Sequence, residues 1–277
     1  MDRYAVIGHP VAHSLSPRIH AAFAAATSQV MSYEKLPAPR DGFARVAERF
    51  FAEGGSGLNV TVPFKEEAAR WVDVLHPAAG EAGAVNTITR EKGHTHGYNT
   101  DGAGLVRDLV SNCGEVLAGA RILLLGAGGA ARGVAGPLLD QRPCRLVIAN
   151  RTGARAAALA GTLRQRRWNV PVEAAALSAV ADGFDLVINA TSAGLDGAGL
   201  PEVRADSVAS ACCYDLMYAG PGATDTAFCR WAAASRARRV LDGLGMLVEQ
   251  AALAFELWRG VLPATRPVLE LLRAPGV

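Results

Sequence analysis

The chain has 277 residues, half of them apolar, with 28 lysine and arginine residues against 26 aspartate and glutamate residues. This length is large for one compact core and suits two α/β domains. The near balance of charge provides no basic field for nucleic acid, and no apolar run is long enough to span a bilayer. We therefore expect a small-molecule partner. The sequence leaves a monomer or a homodimer open.

The chain opens with an apolar segment at residues 4–8 and lacks the basic, long apolar and cleavage regions of a signal peptide. Its cysteines lack the paired spacing of metal ligands, and their odd number favours reduced thiols over a disulfide framework. They are Cys113, Cys144, Cys212, Cys213 and Cys229. Both features predict a cytoplasmic protein.

In the N-terminal part of the chain, short apolar runs alternate with helical patterns. Strands are predicted at residues 4–8, 31–36, 58–61 and 84–89. A helix is predicted at 17–26, with Ser16 as its N-cap and Pro17 in its first turn. Such alternation predicts a mostly parallel sheet with crossover helices.

The second part of the chain opens with Arg121-Ile-Leu-Leu-Leu125, which suits a strand buried on both faces. Further strands are predicted at 146–149, 186–189, 211–215 and 238–241, and a helix at 244–258. The fold class is thus α/β with two domains. We predict a parallel-sheet lobe over 1–102, a Rossmann-type lobe over 103–241, and C-terminal helices over 242–277 that pack back on the first lobe.

A glycine-rich turn follows the first strand of the second lobe and opens a helical stretch. Gly126 allows a tight turn, Gly128 lets backbone amides approach a pyrophosphate, and the helix N-terminus attracts its charge. The full turn is Gly126-Ala127-Gly128-Gly129-Ala130-Ala131, with Ala131 where a third glycine often stands. The pattern predicts a dinucleotide site, and an ordinary strand-to-helix turn is the alternative.

The end of the next strand distinguishes the two nicotinamide cofactors, because NAD enzymes usually place an acidic side chain there. This chain has Asn150-Arg151-Thr152 instead, with Arg155 one turn on, so a guanidinium is available for the extra phosphate of NADP. The alternative is that Thr152 caps the helix and both arginines are solvated. We predict NADP.

Polar residues at the ends of first-lobe elements indicate a substrate site, since sites in parallel sheets collect there. Ser14 and Ser16 stand at a helix N-terminus suited to a carboxylate, although capping alone would explain Ser16. Lys65 follows a proline turn at the start of a helix, where the dipole disfavours a cation. Asn86 and Asp101 also lie at the ends of predicted elements, where each could instead stabilise a turn or cap a helix.

Together with further motifs, these residues give the chain a resemblance to the shikimate dehydrogenases over nearly its whole length. The motifs are Ser14-Leu-Ser-Pro, Asn59-Val-Thr-Val-Pro-Phe-Lys65, Gly83-Ala-Val-Asn86-Thr, Asn99-Thr-Asp101-Gly, the glycine-rich turn, Asn150-Arg-Thr, Asn189-Ala-Thr-Ser, Tyr214-Asp-Leu-Met-Tyr218 and Gly243-Leu-Gly-Met-Leu-Val-Glu-Gln250. Their number and order are more specific than any single motif. One departure is Thr226-Ala227-Phe228, where the family usually has a proline after the threonine.

The resemblance implies a role for each group of residues. The substrate carboxylate would be held by Ser14, Ser16 and Tyr218. Ring hydroxyls and the reacting oxygen would be held by Thr61, Lys65, Asn86, Asp101 and Gln250. The NADP site would be lined by residues 126–131, Asn150, Arg151, Thr152, Arg155, Leu216 and Gly243.

The resemblance also implies the reaction: the reversible, NADP-dependent reduction of the ring ketone of 3-dehydroshikimate to shikimate, in aromatic amino acid (chorismate) biosynthesis. Lys65 would stabilise and protonate the developing oxyanion, and Asp101 would orient the lysine. Three alternatives stay open: a quinate or shikimate dehydrogenase that favours NAD, an aminoshikimate-pathway enzyme, and an NADP-binding regulator without catalysis. The missing acid near Arg151 argues against the first, and the retained site residues argue against the third.

Two histidines in His94-Thr-His96 would lie on one face of a strand. Two imidazoles alone leave a metal site incomplete, and no cysteine or carboxylate cluster supplies the further ligands. We predict no metal, with a solvated hairpin as the explanation of the spacing.

Overall fold

The computed structural model describes residues 1–166, 168–180, 183–191, 203–219 and 225–274. The chain divides into two compact units, one formed by Met1–Asp108 with Gly245–Val277 and the other by Leu109–Leu244. The first boundary lies beyond the predicted residue 102, because the helix Asp101–Arg107 is continuous across that position. The second lies inside the predicted C-terminal segment, at the start of the helix Leu244–Arg259.

The first unit is built of strands and helices that mostly alternate along the chain. In order they are β1 (Asp2–Gly8), α1 (Ser16–Ala26), β2 (Met31–Pro37), α2 (Phe43–Ala52), β3 (Gly55–Val60), α3 (Lys65–Trp71), β4 (Val74–Leu75), α4 (Pro77–Ala82), β5 (Thr87–Glu91), β6 (His94–Tyr98) and α5 (Asp101–Arg107). The strands form one sheet in the order β2-β1-β3-β5-β6-β4. The predicted α/β class is confirmed.

This first sheet is mostly parallel, as predicted, and β5 is the strand that runs in the opposite direction. β1 pairs in parallel with β2 and β3, whereas β5 runs antiparallel to both β3 and β6. The reversal comes from a tight hairpin between β5 and β6, in which Lys92 and Gly93 have φ of 50° and 89°. Two consecutive positive φ values give a turn whose twist matches that of paired strands. His94 and His96 therefore lie on a hairpin, as predicted.

Helices cover both faces of the first sheet. On one face, α2 and α3 pack on the strands through an apolar core around Phe43. On the other, Trp258 of the C-terminal part of the chain stacks on Tyr4 with ring centroids 4.6 Å apart, and its Nε1 donates to the carbonyl of Ile88. A Cβ on Gly57 would lie 2.4 Å from that Nε1, so the close approach requires glycine.

The second unit contains the remaining strands. Its elements are β7 (Arg121–Leu125), α6 (Gly129–Asp140), β8 (Arg145–Asn150), α7 (Gly153–Arg164), β9 (Val172–Ala176), β10 (Leu186–Asn189), β11 (Cys212–Asp215), α8 (Ala227–Ala234) and β12 (Arg239–Leu241). The chain then continues into α9 (Leu244–Arg259) and α10 (Arg266–Arg273).

The second sheet is parallel throughout, in the order β9-β8-β7-β10-β11-β12. β7 is the first strand of this unit in the chain and lies at the centre, with Ile122 to Leu125 fully buried. This is the doubly wound arrangement in which ligands bind beyond the carboxyl ends of the strands, where the strand order reverses. The reversal point lies between β7 and β10, which places the glycine-rich turn at the expected edge.

The sequence pattern does not predict two of the edge strands, β4 and β9. β9 reads Val-Glu-Ala-Ala-Ala, and alanine and glutamate have little preference for strands. β4 contributes only Val74 and Leu75, which pair with β6. Both strands form because a neighbour offers a free edge, not because their own residues favour extension.

Cys212, Cys213 and Cys229 are buried free thiols. Burial raises the pKa of the Cys212 and Cys213 thiols to about 12 and that of Cys229 to about 11. These three therefore stay protonated and act as small apolar core residues.

Within the described ranges, no helix is both long and apolar enough to cross a membrane.

Candidate functional site

Lys65 and Asp101 form an ion pair in the first unit. Lys65 begins α3 and Asp101 begins α5, and the lysine Nζ donates to Asp101 Oδ2 at 2.6 Å. The lysine side chain is 30% exposed and the aspartate side chain 12% exposed. A cation is thus held by a carboxylate at an accessible place, with hydrogens left on Nζ for another oxygen.

Asn86 connects this pair to Gln250. Its Nδ2 lies 2.9 Å from Asp101 Oδ1 and 3.2 Å from Gln250 Oε1. Its Oδ1 accepts from the backbone N–H of Thr100 at 2.9 Å, and the Thr100 hydroxyl donates to the backbone carbonyl of Gln250 at 3.1 Å. Predicted residues that are distant in sequence therefore form one hydrogen-bonded group, which includes Lys65 through Asp101.

The N-terminus of α1 holds both predicted serines, but Ser16 is not its N-cap. The helix begins at Ser16 itself, and Leu15 precedes it without a side-chain cap. Ser14 Oγ instead accepts from the Ser16 N–H at 3.3 Å and donates to Ser16 Oγ at 3.2 Å. A serine hydroxyl can accept from the backbone N–H two residues later in the chain. Ser14, and not Ser16, therefore provides the side-chain hydrogen bond at the start of α1. Both hydroxyls remain at a helix N-terminus suited to an anion.

Thr61 and Tyr218 complete the predicted substrate residues. Thr61 follows β3, and its carbonyl accepts from the Phe64 N–H at 3.0 Å, which closes the turn leading to Lys65. A Cβ on Gly8 would lie 2.4 Å from Thr61 Cγ2, so β1 approaches Thr61 closely. Tyr218 belongs to the second unit, on the chain after β11, where burial raises the pKa of its hydroxyl.

Tyr33 and Asn59 support Asn86, although neither is among the predicted site residues. The Tyr33 hydroxyl donates to Asn59 Oδ1 at 2.7 Å. Asn59 Nδ2 lies 3.1 Å from both the Asn86 carbonyl and Thr87 Oγ1. Asn59 belongs to the motif that ends at Lys65, and that motif could have identified it. Tyr33 is 26 residues from its partner, and no local pattern connects the two.

Gly104 is a third residue near the site that is not among the predicted ones. It lies inside α5, and a Cβ there would be 2.7 Å from the backbone nitrogen of Gln250. The glycine therefore lets α5 and α9 approach closely enough for Gln250 to reach Asn86 and Thr100. A glycine inside a helical pattern is a recognisable sign of such packing.

His20 is fully buried beside Tyr33, and neither of its ring nitrogens has a hydrogen-bond partner among the residues described. Its ring stacks on that of Tyr33, with centroids 4.3 Å apart and an interplanar angle of 9°. Burial lowers the pKa of the imidazole to about 3. His20 is therefore neutral near pH 7 and packs as an aromatic ring that fixes Tyr33.

The glycine-rich turn of the second unit has the geometry of an anion site. Gly126 has φ of 110°, and a Cβ there would lie 2.9 Å from the Ala190 carbonyl oxygen, so only glycine fits. Gly128 precedes α6, and nothing lies within 4 Å of the position its Cβ would take. Open space beside the N-terminus of a long helix suits the close approach of a pyrophosphate.

The residues after β8 suit a phosphate rather than free ribose hydroxyls. Arg151 and Arg155 are exposed, and no acidic residue occurs from 150 to 155. Asn150 Nδ2 donates to the Thr152 carbonyl at 3.0 Å, which fixes the turn. Thr152 occupies the N-cap position of α7 without a side-chain cap hydrogen bond, so capping does not account for it.

Leu216 and Gly243 touch each other beyond the carboxyl ends of β11 and β12. The Leu216 N–H donates to the Asn189 carbonyl at 2.9 Å, and the Gly243 N–H donates to the Met217 carbonyl at 2.8 Å. A Cβ on Gly243 would lie 2.3 Å from the Leu216 carbonyl oxygen. The two predicted cofactor residues are therefore held together by backbone contacts. Ser192, the last residue of the Asn189 motif, lies outside the described residues.

The histidine in contact with His96 is His76, not His94. His76 Nε2 and His96 Nδ1 are 3.3 Å apart, whereas His94 faces Asp73 at 4.0 Å. The contact arises because β4 pairs with β6 and brings the next residue, His76, beside His96. Over the described part of the chain, no three or more histidine, cysteine, aspartate or glutamate side chains are grouped as metal ligands.

Three family models match successive parts of the chain. Residues 6–88 match the shikimate dehydrogenase substrate binding domain, and residues 108–196 match the shikimate / quinate 5-dehydrogenase model. Residues 243–273 match the shikimate 5'-dehydrogenase C-terminal domain. The first and third matches fall on the unit that contains Lys65 and Asp101.

Similarity to named proteins extends over the whole chain. It is 53% identical over 275 residues to the shikimate dehydrogenase (NADP(+)) of Methylobacillus flagellatus, covering 99% of this chain and 100% of that one. It is 54% identical over 276 residues to the enzyme of the same name from Thioalkalivibrio sulfidiphilus, covering 99% and 98%. A crystal structure of shikimate 5-dehydrogenase from Thermus thermophilus, in complex with NADP(H) and shikimate, aligns with a TM-score of 0.83 at 34% identity and covers 99% of both chains.

Proposed function

Because this chain belongs to the shikimate dehydrogenase family, we propose that it reduces the ring ketone of 3-dehydroshikimate to the hydroxyl of shikimate, reversibly. It is an NADP-dependent oxidoreductase, and its product would enter aromatic amino acid biosynthesis. The observation that carries the proposal is the Lys65–Asp101 ion pair, which is hydrogen-bonded to Asn86 and through Asn86 to Gln250. This group combines a proton donor with several partners for the hydroxyls of a ring.

Lys65 is the residue we assign to the reacting oxygen. Reduction of a ketone leaves negative charge on that oxygen, which needs a donor first and a proton next. Nζ carries three hydrogens and gives one of them to Asp101 Oδ2, so others remain for the substrate. An ammonium in this place stabilises the oxyanion and protonates it. In the reverse direction, the neutral amine takes the hydroxyl proton.

Asp101 orients the lysine and is itself held in place. Its Oδ2 accepts from Lys65 and its Oδ1 accepts from Asn86, so the carboxylate cannot rotate freely. The contact between Asn86 Nδ2 and Gln250 Oε1 is long, at 3.2 Å. A ring hydroxyl that accepts from the first and donates to the second would replace it. Asn86, Gln250 and nearby Thr61 are therefore the residues we assign to the ring hydroxyls.

The carboxylate of the substrate is assigned to the serines of α1 and to Tyr218. Ser14 and Ser16 place two hydroxyls at the N-terminus of a helix of 11 residues, where partial positive charge favours an anion. The Tyr218 hydroxyl would add a third donor. A tyrosine hydroxyl is protonated at neutral pH, and burial raises its pKa further above the ordinary value of 10.0, so Tyr218 can donate.

The second unit fits NADP. When bound, the reduced nicotinamide supplies the hydride for the ketone carbon. Gly126 and Gly128 leave room for the pyrophosphate, and the N-terminus of α6 faces its charge. Arg151 and Arg155 are exposed for the extra phosphate, with no carboxylate nearby in sequence to repel it. Leu216 and Gly243 are the residues we assign to the remainder of the cofactor.

The proposal is tested by mixing the purified protein with shikimate and either NADP or NAD, and following the near-ultraviolet absorbance of the reduced nicotinamide. We expect oxidation of shikimate with NADP to be much faster than with NAD. Quinate and aminoshikimate are the comparison substrates, because the alternatives differ in which ring acid they accept. Faster turnover of either would overturn the substrate assignment, and NADP binding without turnover of any ring acid would favour a regulator.

A further inference from the structure

Asp215 is a carboxylate at the end of β11 that is 2% exposed and has no assigned role. Its Oδ1 accepts from Asn189 Nδ2 at 3.0 Å and from the backbone N–H of Met217 at 3.1 Å. Its Oδ2 accepts from Thr226 Oγ1 at 2.6 Å. Burial raises the pKa of this carboxyl, although each of these hydrogen bonds lowers it. The three donors are therefore what makes the buried group tolerable.

The first donor connects Asp215 to the glycine-rich turn. Asn189 ends β10, and its Oδ1 accepts from the Thr191 N–H at 3.2 Å and from Thr191 Oγ1 at 2.7 Å. Between these two residues lies Ala190, whose carbonyl oxygen is the atom closest to the Cβ position of Gly126. The orientation of the Asn189 amide thus sets the position of the backbone beside Gly126.

The other two donors fix the chain on the far side of β11. The Met217 N–H bond turns the chain directly after the strand and places Leu216 in the turn. The Met217 carbonyl then accepts from the Gly243 N–H at 2.8 Å. Thr226 is the N-cap of α8, where its Oγ1 accepts from the Cys229 N–H at 3.1 Å. The family departure at Thr226-Ala227-Phe228 therefore retains both the cap and the bond to the carboxylate.

We propose that Asp215 is a positioning residue for NADP. Through Asn189 it holds the Gly126 turn, and through Met217 it holds Leu216 in place. An apolar residue would fill the site with less desolvation cost but could not align donors from three segments. The inference rests on the proposed function, because it assumes that the Gly126 turn and Leu216 bind this cofactor.

The test is direct titration of NADP onto the full-length protein, together with the melting temperature of each variant without ligand. We expect Asp215→Ala to weaken NADP binding by about tenfold or more, because three donors lose their acceptor. Asp215→Asn keeps one accepting oxygen for Asn189 and Met217 and should recover most of the affinity. In steady-state assays, the KM for NADP should rise in Asp215→Ala more than the turnover number falls.

Asp185→Ala is the matched control. Asp185 lies in the same unit at the opposite end of the strands, where its exposed carboxylate pairs with Arg121. This variant should lower the melting temperature while leaving the NADP affinity within about twofold of wild type. Equal weakening of NADP binding in both alanine variants would reduce Asp215 to a general stabilising role and overturn the proposal.

A second pair keeps the test decisive if Asp215→Ala does not fold. Thr226→Val removes the hydroxyl, and Thr226→Ser retains it. NADP affinity should fall in the valine variant and stay near wild type in the serine variant, and equal affinities in the two would contradict the inference. Wild-type protein that binds no NADP would instead refute the proposed function, so the two failures are distinguishable.

Discussion

In the first unit the predicted ligand-binding residues are joined by their side chains, whereas in the second unit they are shaped mainly by backbone. Lys65, Asn86, Asp101 and Gln250 come from distant parts of the sequence, and their hydrogen bonds hold them together. The Gly126 turn is continuous in sequence, and its geometry comes from a positive φ and the start of a helix. Under the proposed function, the chemistry would depend on side chains of the first unit, and binding of the cofactor pyrophosphate on the local backbone shape of the second.

This difference predicts separable defects. Truncating a side chain of the first unit should remove a chemical group and leave NADP binding intact. Adding a methyl group to the second unit should change NADP binding and leave the proton donor intact. Variants in each unit therefore test whether catalysis and NADP binding can be impaired separately.

The largest effect is expected for Lys65→Ala, whose turnover should fall on the order of a thousandfold, because the oxyanion loses its donor and its acid. Affinity for NADP should not change, and affinity for shikimate should change far less than turnover. The measurement is steady-state kinetics beside a direct NADP titration. Lys92→Ala, in the exposed hairpin turn, is the control and should keep wild-type turnover. Unchanged turnover in Lys65→Ala would refute the assignment.

Two glycines of the turn should respond differently to the same added methyl group. Gly126→Ala should lower the free energy of unfolding by about 1–3 kcal/mol, because its φ is positive and the Ala190 carbonyl is close. Gly128→Ala has room for its Cβ and should fold normally, yet weaken NADP binding by about tenfold, because the methyl group occupies the approach of the pyrophosphate. Chemical denaturation and NADP titration distinguish the two, and normal NADP affinity in Gly128→Ala would contradict the placement.

Arg151→Ala should reduce the preference for NADP over NAD by about tenfold, because the extra phosphate loses a charged donor. The expected change is in the ratio of kcat/KM for the two cofactors with shikimate held constant. Arg142→Ala, outside the predicted cofactor residues of the same unit, serves as the comparison. An unaltered ratio in Arg151→Ala would assign phosphate recognition to another residue.

A further prediction concerns the acid stability of the first unit. Burial lowers the pKa of His20 from 6.5 to about 3, so below pH 6.5 the unfolded chain takes up a proton that the folded chain does not. The buried, neutral His20 should therefore lower the free energy of unfolding as the pH falls from 6.5 towards about 3, by at most about 1.4 kcal/mol per pH unit. Urea denaturation at several pH values should give a shallower loss for His20→Phe than for wild type. An equal loss of stability with falling pH in His20→Phe and in wild type would contradict the neutral state of buried His20. The control is His94→Gln, a change at an exposed histidine.

Local patterns in the sequence identify much of the fold. β7 and β10 have their predicted bounds because a continuous apolar run between polar residues admits little else. The Gly126 turn is equally local, since strand, glycines and helix follow one another. The apolar run of β5 does not predict the direction of this strand, because the direction depends on the Lys92–Gly93 turn that follows it.

The contacts that complete the candidate site are long-range, which is why the sequence could not predict them. Motifs identify Lys65 and Asp101 as candidates, but their 2.6 Å contact depends on two helices that begin side by side. The link from Tyr33 to Asn59 has no local signature at all. Ser16 is a related case, because its position within the helix depends on the turn that Ser14 closes.

The proposed division of roles between Lys65 and Asp101 is tested most directly by the turnover of Lys65→Ala, Asp101→Ala and the double variant with shikimate and NADP. The ion pair at 2.6 Å predicts that the two residues act as a unit. The double variant should then be about as slow as Lys65→Ala alone, since an orienting carboxylate has nothing left to orient. Losses that multiply across the two variants would mean that Asp101 acts independently of Lys65, and would contradict the proposed division of roles.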